Sequence, residues 1–132
     1  MTVFDKNMVV TASFLAAITI AMGAFGAHGL KNMVDAAALV TFETGVRYQM
    51  YHCLAILALG LAPVIPKKIK KTVFWFFITG ILFFSGSIYL LALNEILPFN
   101  ATTIGFITPI GGLMFIIGWF YFGYAVFSIK KE

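Results

Sequence analysis

Four apolar runs, residues 8–27, 45–64, 72–93 and 105–127, leave this chain little choice of fold. Each has the roughly 20 residues that a helix rising about 1.5 Å per residue needs to cross a hydrocarbon core of about 30 Å. Lipid offers the backbone no hydrogen-bond partners, so these runs must be helices despite their β-branched and aromatic content. The rest of the composition agrees. Only 11% of the residues are charged and 61% are apolar, with a mean hydropathy of +0.99, whereas soluble domains carry about a quarter charged residues. A length of 132 residues suits one domain. The expected architecture is an all-α integral membrane protein with four transmembrane helices in a compact bundle.

The first run could be mistaken for a signal peptide. At 20 residues it exceeds the roughly 7–15 of a signal core, and Lys6 beside Asp5 makes a weak basic leader, so a retained span is expected. Four basic residues, Lys67, Lys68, Lys70 and Lys71, crowd the turn between the second and third runs. The net charge of +4 therefore reads as a topology signal and not as a nucleic-acid surface. With Lys6, Lys130 and Lys131 on the same side, seven of the nine Lys/Arg lie there, and only Lys31 and Arg47 lie opposite. Both termini are then expected in the cytoplasm. A single cysteine, Cys53, excludes an internal disulfide and a multi-cysteine metal site.

Helix 1 carries small residues at Ala12, Ala16, Thr19, Gly23 and Ala27, a stripe that admits a neighbouring backbone. Gly29 suits a left-handed position after the helix, with His28 at the outer interface. Residues 31–44 should hold a short interfacial helix capped by Asp35, with Gly45 bending the chain into helix 2. In helix 3, Gly80, Ser87 and Asn94 recur at seven-residue spacing, with Ser85 and Tyr89 on a second face. Helix 4 places Thr108, Gly111, Gly112, Phe115, Gly118 and Trp119 on one face. Gly23, Gly80, Ser87, Gly111, Gly112 and Gly118 are the expected helix-packing positions.

The segment 42–52, FETGVRYQMYH, gathers most of the polar chemistry available to the interior. A helical wheel places Arg47, Tyr48, Tyr51 and His52 on the face that should turn inward. Met50, Cys53, Leu54, Ile56, Leu57 and Leu61 fall on the face that should meet lipid. Glu43 precedes Arg47 by four residues, the favourable order for a helical ion pair. At matching depth, His28, Glu43, Arg47, Tyr48, Tyr51, His52, Asn94, Glu95 and Thr108 could close an outer polar pocket, or a buried structural network. Arg47 can reach the interface with its long side chain. His52, about two turns into the helix, is harder to place as packing alone.

Four ordered motifs carry a family resemblance: GAFGAHGL at 23–30, YQMYH at 48–52, FSGSIYL at 84–90, and TPIGG at 108–112 followed by Gly118-Trp119. The chain resembles the small four-helix membrane family catalogued as domain of unknown function 423, which is similar to animal transmembrane protein 256. That resemblance spans almost the whole sequence. It implies a four-helix protein of the bacterial plasma (inner) membrane and carries over no activity.

Other chemistries find less support. His28 and His52 could ligate a haem as a pair, but no other ligand-like spacing accompanies them. Ser85 and Ser87 lie among phenylalanines without a nearby base. No cofactor or metal is expected. The leading expectation is a non-enzymatic accessory subunit or envelope scaffold, partnered by the lipid bilayer and by a larger membrane complex or further copies of itself. The alternative is a lipid-, small-molecule- or ion-handling protein using the pocket around Arg47 and His52.

Overall fold

The computed structural model describes residues 1–130, and Lys131 lies outside them. Those residues form helices and turns, with no strand among them. The long elements are α1 (Val3–Ala27), α2 (Ala36–Leu61), α3 (Lys67–Ala92) and α4 (Ile107–Phe127). Three helical stretches, Val3–Asn32, Lys67–Ala92 and Ala101–Phe127, are long and apolar enough to cross a membrane. α2 is equally long but carries Glu43 and Arg47.

α1 packs along α2, α4 packs along α3, and α2 and α3 form the middle of the molecule. One core joins all four helices through Met8 and Ala12, Cys53 and Ile56, Val73 and Phe77, and Phe115. A smaller one, built on Leu30, Phe42 and Ala92, closes the other end. Glycines let the helix backbones approach along the α1–α2 and α3–α4 seams. A Cβ on Gly26 would lie 3.0 Å from the Phe42 ring, and one on Gly60 2.9 Å from Val9. Gly118 faces Phe77 at 2.8 Å, and a Cβ on Gly111 would strike the backbone of Phe83 and Phe84.

Two local expectations are corrected. The connection after α1 contains no separate interfacial helix. Asp35 does cap a helix, accepting from the Ala38 N–H at 2.7 Å, but that helix is α2 itself, which runs unbroken through Gly45. Gly45 keeps helical geometry because α3 presses on it: an added Cβ would sit 2.7 Å from Tyr89 and 2.9 Å from Ile88. Its missing side chain serves close packing and not a bend. Gly29 likewise stays right-handed (φ −71°, ψ −51°), and a 3-10 turn, Leu30–Asn32, follows. Its Cβ position lies 3.0 Å from the Phe25 ring.

α3 contains a π-helical segment, Ile81–Ser85, in which the Gly86 N–H reaches back to the Ile81 carbonyl. Such wide turns insert one extra residue and shift the register of everything beyond. Here the shift puts the Ser85 hydroxyl 2.8 Å from the Gly45 carbonyl of α2, while Ser87 meets Thr108 of α4.

At the N-terminal end, Thr2 and Asp5 form a reciprocal capping box, a T-x-x-D spacing visible in the sequence but absent from the expected site. Asp5 also accepts from the Lys70 ammonium at 2.8 Å, and Lys70 is only 3% exposed. Lys70 therefore differs from Lys67, Lys68 and Lys71, which are exposed. It falls on the same stripe as Val73, Phe74 and Phe77, all buried. Asp5 precedes the apolar run of α1. Its bond from Lys70, helped by the Thr2 hydroxyl and N–H, holds its carboxyl at about 2, below the ordinary 3.8.

Candidate functional site: an aromatic groove around His52

α2 is rotated relative to the expected wheel. Its buried residues are Phe42, Gly45, Gln49, His52, Cys53, Ile56, Leu59 and Gly60. Cys53, expected to face lipid, is buried against Thr19 of α1, Sγ to Oγ1 4.0 Å. Arg47, Glu43, Tyr48 and Tyr51, expected inside, are exposed. The physical reason is that α2 has two neighbours. α1 and α3 together cover a broad face that needs aliphatic filling, whereas Arg and Tyr can leave their polar tips outward near a membrane boundary.

The nine residues of the expected pocket are thus not brought together. His28 and Glu95 are exposed. Glu43 and Arg47 lie on one continuous helix but make no ion pair among the described residues. Asn94 accepts from the Ala101 N–H at 2.7 Å, holding the loop before α4. Thr108 pairs with Ser87. Gly80 faces the Phe115 ring, so the positions expected to pack helices 3 and 4 lie on that seam.

The buried polar chemistry resides instead in a relay that the expected pocket did not include. Gln49 of α2 donates to the Thr19 hydroxyl of α1 at 2.7 Å and accepts from the Tyr89 hydroxyl of α3 at 2.7 Å. Thr19 in turn donates to the Leu15 carbonyl at 2.6 Å. Every buried side-chain nitrogen and oxygen among the described residues has a partner. The relay ties three helices together at one depth, where apolar packing alone specifies little. Its sequence signal was the shared stripe of Phe42, Gly45, Gln49, His52 and Ile56, a three-to-four spacing that competes with the Arg/Tyr face on the same wheel.

His52, buried to 4% exposure, belongs to a different arrangement. Its ring stacks on Phe115 of α4, centroids 3.6 Å apart at 11°, and meets the edge of Phe77 at 4.9 Å. The Trp119 indole N–H donates to Nε2 at 3.1 Å, and Nδ1 lies 2.7 Å from the Tyr48 carbonyl. An indole nitrogen can only donate, so Nε2 must accept and Nδ1 must carry the hydrogen. That requirement selects one neutral tautomer.

This imidazole forms the floor of a groove of about 610 Å³ between α2, α3 and α4. Tyr48, Phe84, Gly112, Phe115, Ile116, Trp119 and Phe120 complete the walls. Ligand sites commonly have this size and this pairing of apolar walls with a few polar groups. Tyr48 packs on Phe84 at 5.0 Å and Phe84 on Phe115 at 5.6 Å, so the walls are rings held by other rings. Gly112 keeps one wall open: a Cβ there would meet Phe84 at an ordinary 3.5 Å. The chemistry on offer is stacking, apolar contact and hydrogen bonding through the Tyr48 hydroxyl, since the His52 ring nitrogens and the Trp119 N–H are already paired. Among the described residues no three His, Cys, Asp or Glu side chains converge as a metal site would need.

Comparison with known proteins places the chain in a family. The chain is 41% identical over 124 residues to a UPF0382 membrane protein of Staphylococcus saprophyticus, covering 94% of this chain and 99% of the relative. It is 40% identical over 127 residues to a UPF0382 membrane protein of Haemophilus influenzae, covering 96% and 98%. The UPF0382 inner membrane protein YgdD of Escherichia coli K12 is 37% identical over 118 residues, covering 87% and 85%. No solved structure matches. Residues 22–112, which include Gln49 and Tyr89 of the relay, His52 and all of α3, match the family model described as Protein of unknown function (DUF423), and the chain belongs to that family of membrane proteins.

Proposed function

We propose that this chain is a four-pass membrane protein, with no enzymatic activity, that binds a lipid or other small apolar molecule in the aromatic groove. The observation that carries the reading is the groove itself. The one buried imidazole forms its floor, held by Trp119 and Tyr48, with space of ligand size left open beside it. The two serines of α3 and the thiol of α2 are engaged away from the groove. Ser85 bonds the Gly45 carbonyl, Ser87 pairs with Thr108, and Cys53 lies beside Thr19.

α2 serves as the fourth crossing. Its charged side chains, Glu43 and Arg47, lie in its first half, on the side of the molecule closed by Leu30, Phe42 and Ala92, and Arg47 can extend its tip toward that interface. Both termini lie on the cytoplasmic side of a bacterial inner membrane. The Asp5–Lys70 pair brings the start of α1 to the Lys67 end of α3. α4 runs back along α3, with Gly111 against Phe84 and Gly118 against Phe77, so Lys130 follows at that same end. This clusters the lysines as cytoplasmic loops require, and the E. coli relative is named an inner membrane protein.

The accessory-subunit or scaffold reading draws on short loops between apolar runs, on glycine faces suited to helix association and on the lack of a paired nucleophile and base. Gly23, Gly26, Gly80, Gly111 and Gly118 meet neighbours within the chain, whereas nothing lies within 4 Å of an added Cβ at Gly86 or Gly123, so a partner chain would have to use faces such as those. The binding reading is tested by native mass spectrometry of protein released from lipid nanodiscs. The wild type should retain one lipid-sized adduct, and Gly112→Leu, which fills the groove, should lose it. A bare wild type, or an adduct indifferent to Gly112→Leu, overturns the proposal.

A further inference from the structure

The groove above His52 ends at Trp119, and a second recess of about 360 Å³ begins on the other side of the same indole. Its walls include Ala55, Ala58 and Ala62 of α2 and Phe122 of α4. Trp119 is the one residue that lines both. The two spaces therefore follow one another along the α2–α4 cleft, divided by a half-exposed side chain whose polar anchor is a single 3.1 Å hydrogen bond. In a membrane interior such a bond contributes little, so the partition is light.

We propose that the two recesses form one channel that takes a single hydrocarbon chain of an anionic membrane lipid lengthwise, with Arg47 at its charged end and the Trp119 indole swinging aside in its middle. This rests on the binding reading above and names its ligand. Length is the first argument. From Tyr48 to Ala62 the cleft follows 14 residues of helix, or about 21 Å. One leaflet of hydrocarbon is only about 15 Å deep, half the membrane core. A compact molecule fills the His52 groove and stops, whereas a linear chain uses both recesses.

The walls are the second argument. Below Trp119 the lining side chains are alanine, leucine, valine, isoleucine and phenylalanine, so an occupant meets hydrocarbon there. Charge is the third. Arg47 precedes Tyr48 on α2, is exposed, and has no ion pair among the described residues, even though Glu43 lies one turn away. Tyr48 and Tyr51 stand beside it with ring centroids 5.7 Å apart. A guanidinium without an ion-pair partner suits a phosphate diester, which accepts paired hydrogen bonds.

The test uses the full chain reconstituted in phosphatidylcholine vesicles. These contain a minor fraction of phosphatidylglycerol with a photoreactive diazirine near the end of one acyl chain, and adducts are mapped by peptide mass spectrometry. Adducts should concentrate at Ala58 and Phe122, beyond Trp119. Ala58→Leu should remove them while leaving the adduct of a mid-chain probe at Ile116, and Gly112→Leu should remove both. Ile116→Trp fills the same space from the exposed rim if Gly112→Leu does not fold. Arg47→Met should lower the preference for phosphatidylglycerol over phosphatidylcholine about fivefold, equivalent to about 1 kcal/mol for one basic side chain at the surface. Adducts confined to the His52 side, with Ala58→Leu silent, overturn the lengthwise chain and leave the groove as a binding site. Adducts spread evenly over the outer faces of α1, α3 and α4 overturn both.

Discussion

Gly111 and Gly123 lie on the same helix in opposite circumstances. A methyl group at Gly111 would press on the backbone of Phe83 and Phe84, which cannot rotate away, whereas nothing lies within 4 Å at Gly123. Gly111→Ala should destabilise the protein by about 1–3 kcal/mol, the usual cost of overpacking. Gly123→Ala should be neutral or stabilise by up to about 1 kcal/mol through helix propensity. Reversible unfolding in mixed detergent measures both. Gln49 supplies a second contrast. Gln49→Leu removes two interhelical hydrogen bonds, each worth about 0.6 kcal/mol on average in membranes, for a loss of about 1 kcal/mol. Arg47→Met, at an exposed position, should change stability by less than about 0.5 kcal/mol. Equal effects at the two sites would contradict the orientation of α2.

Among the elements, α1 and α3 are joined at their N-terminal ends by the Asp5–Lys70 pair. The Asp5 carboxyl, held at about 2 against 3.8 unperturbed, binds its proton more readily in the unfolded chain than in the folded one. Its contribution to stability is therefore full above about pH 4 and disappears as pH falls through about 2. Thermal unfolding across that window should show the loss in the wild type, and Asp5→Asn should lack that component. The same pair shows what a charge count misses. Four lysines in one turn read correctly as a cluster at one end of the molecule. Only the stripe Lys70, Val73, Phe74 and Phe77 hinted that one of them turns inward, and nothing in the spacing named Asp5 as its partner.

For the molecule as a whole, the proposed orientation has its own readout. With Cys53 replaced by alanine, a cysteine at Lys31 should react with an impermeant maleimide added outside intact cells, and one at Lys68 should react only after the cells are opened. The reverse pattern would invert the topology, and reaction at both from outside would remove α2 as a crossing. Neither lysine substitution touches the core, since both lysines are exposed.

Sequence by itself determined the helical class, the membrane environment and the presence of four long helices, though α2 begins at Ala36 and not at Gly45. Hydrocarbon excludes unpaired backbone, so apolar length alone decides those properties. It also determined Asp35 as a cap, because a cap is local. What tertiary structure alone decided is which way α2 turns and what His52 meets. Both sides of that wheel carry apolar and small residues, and in lipid there is no water to sort them, so the choice falls to packing with α1 and α3. Hence Gly45 serves as a contact for Tyr89 and Ile88, Cys53 lies inside, and Arg47 outside. His52 finds Trp119, 67 positions along the chain, because the glycines of α4 let that helix close on α3 and bring the indole across to α2.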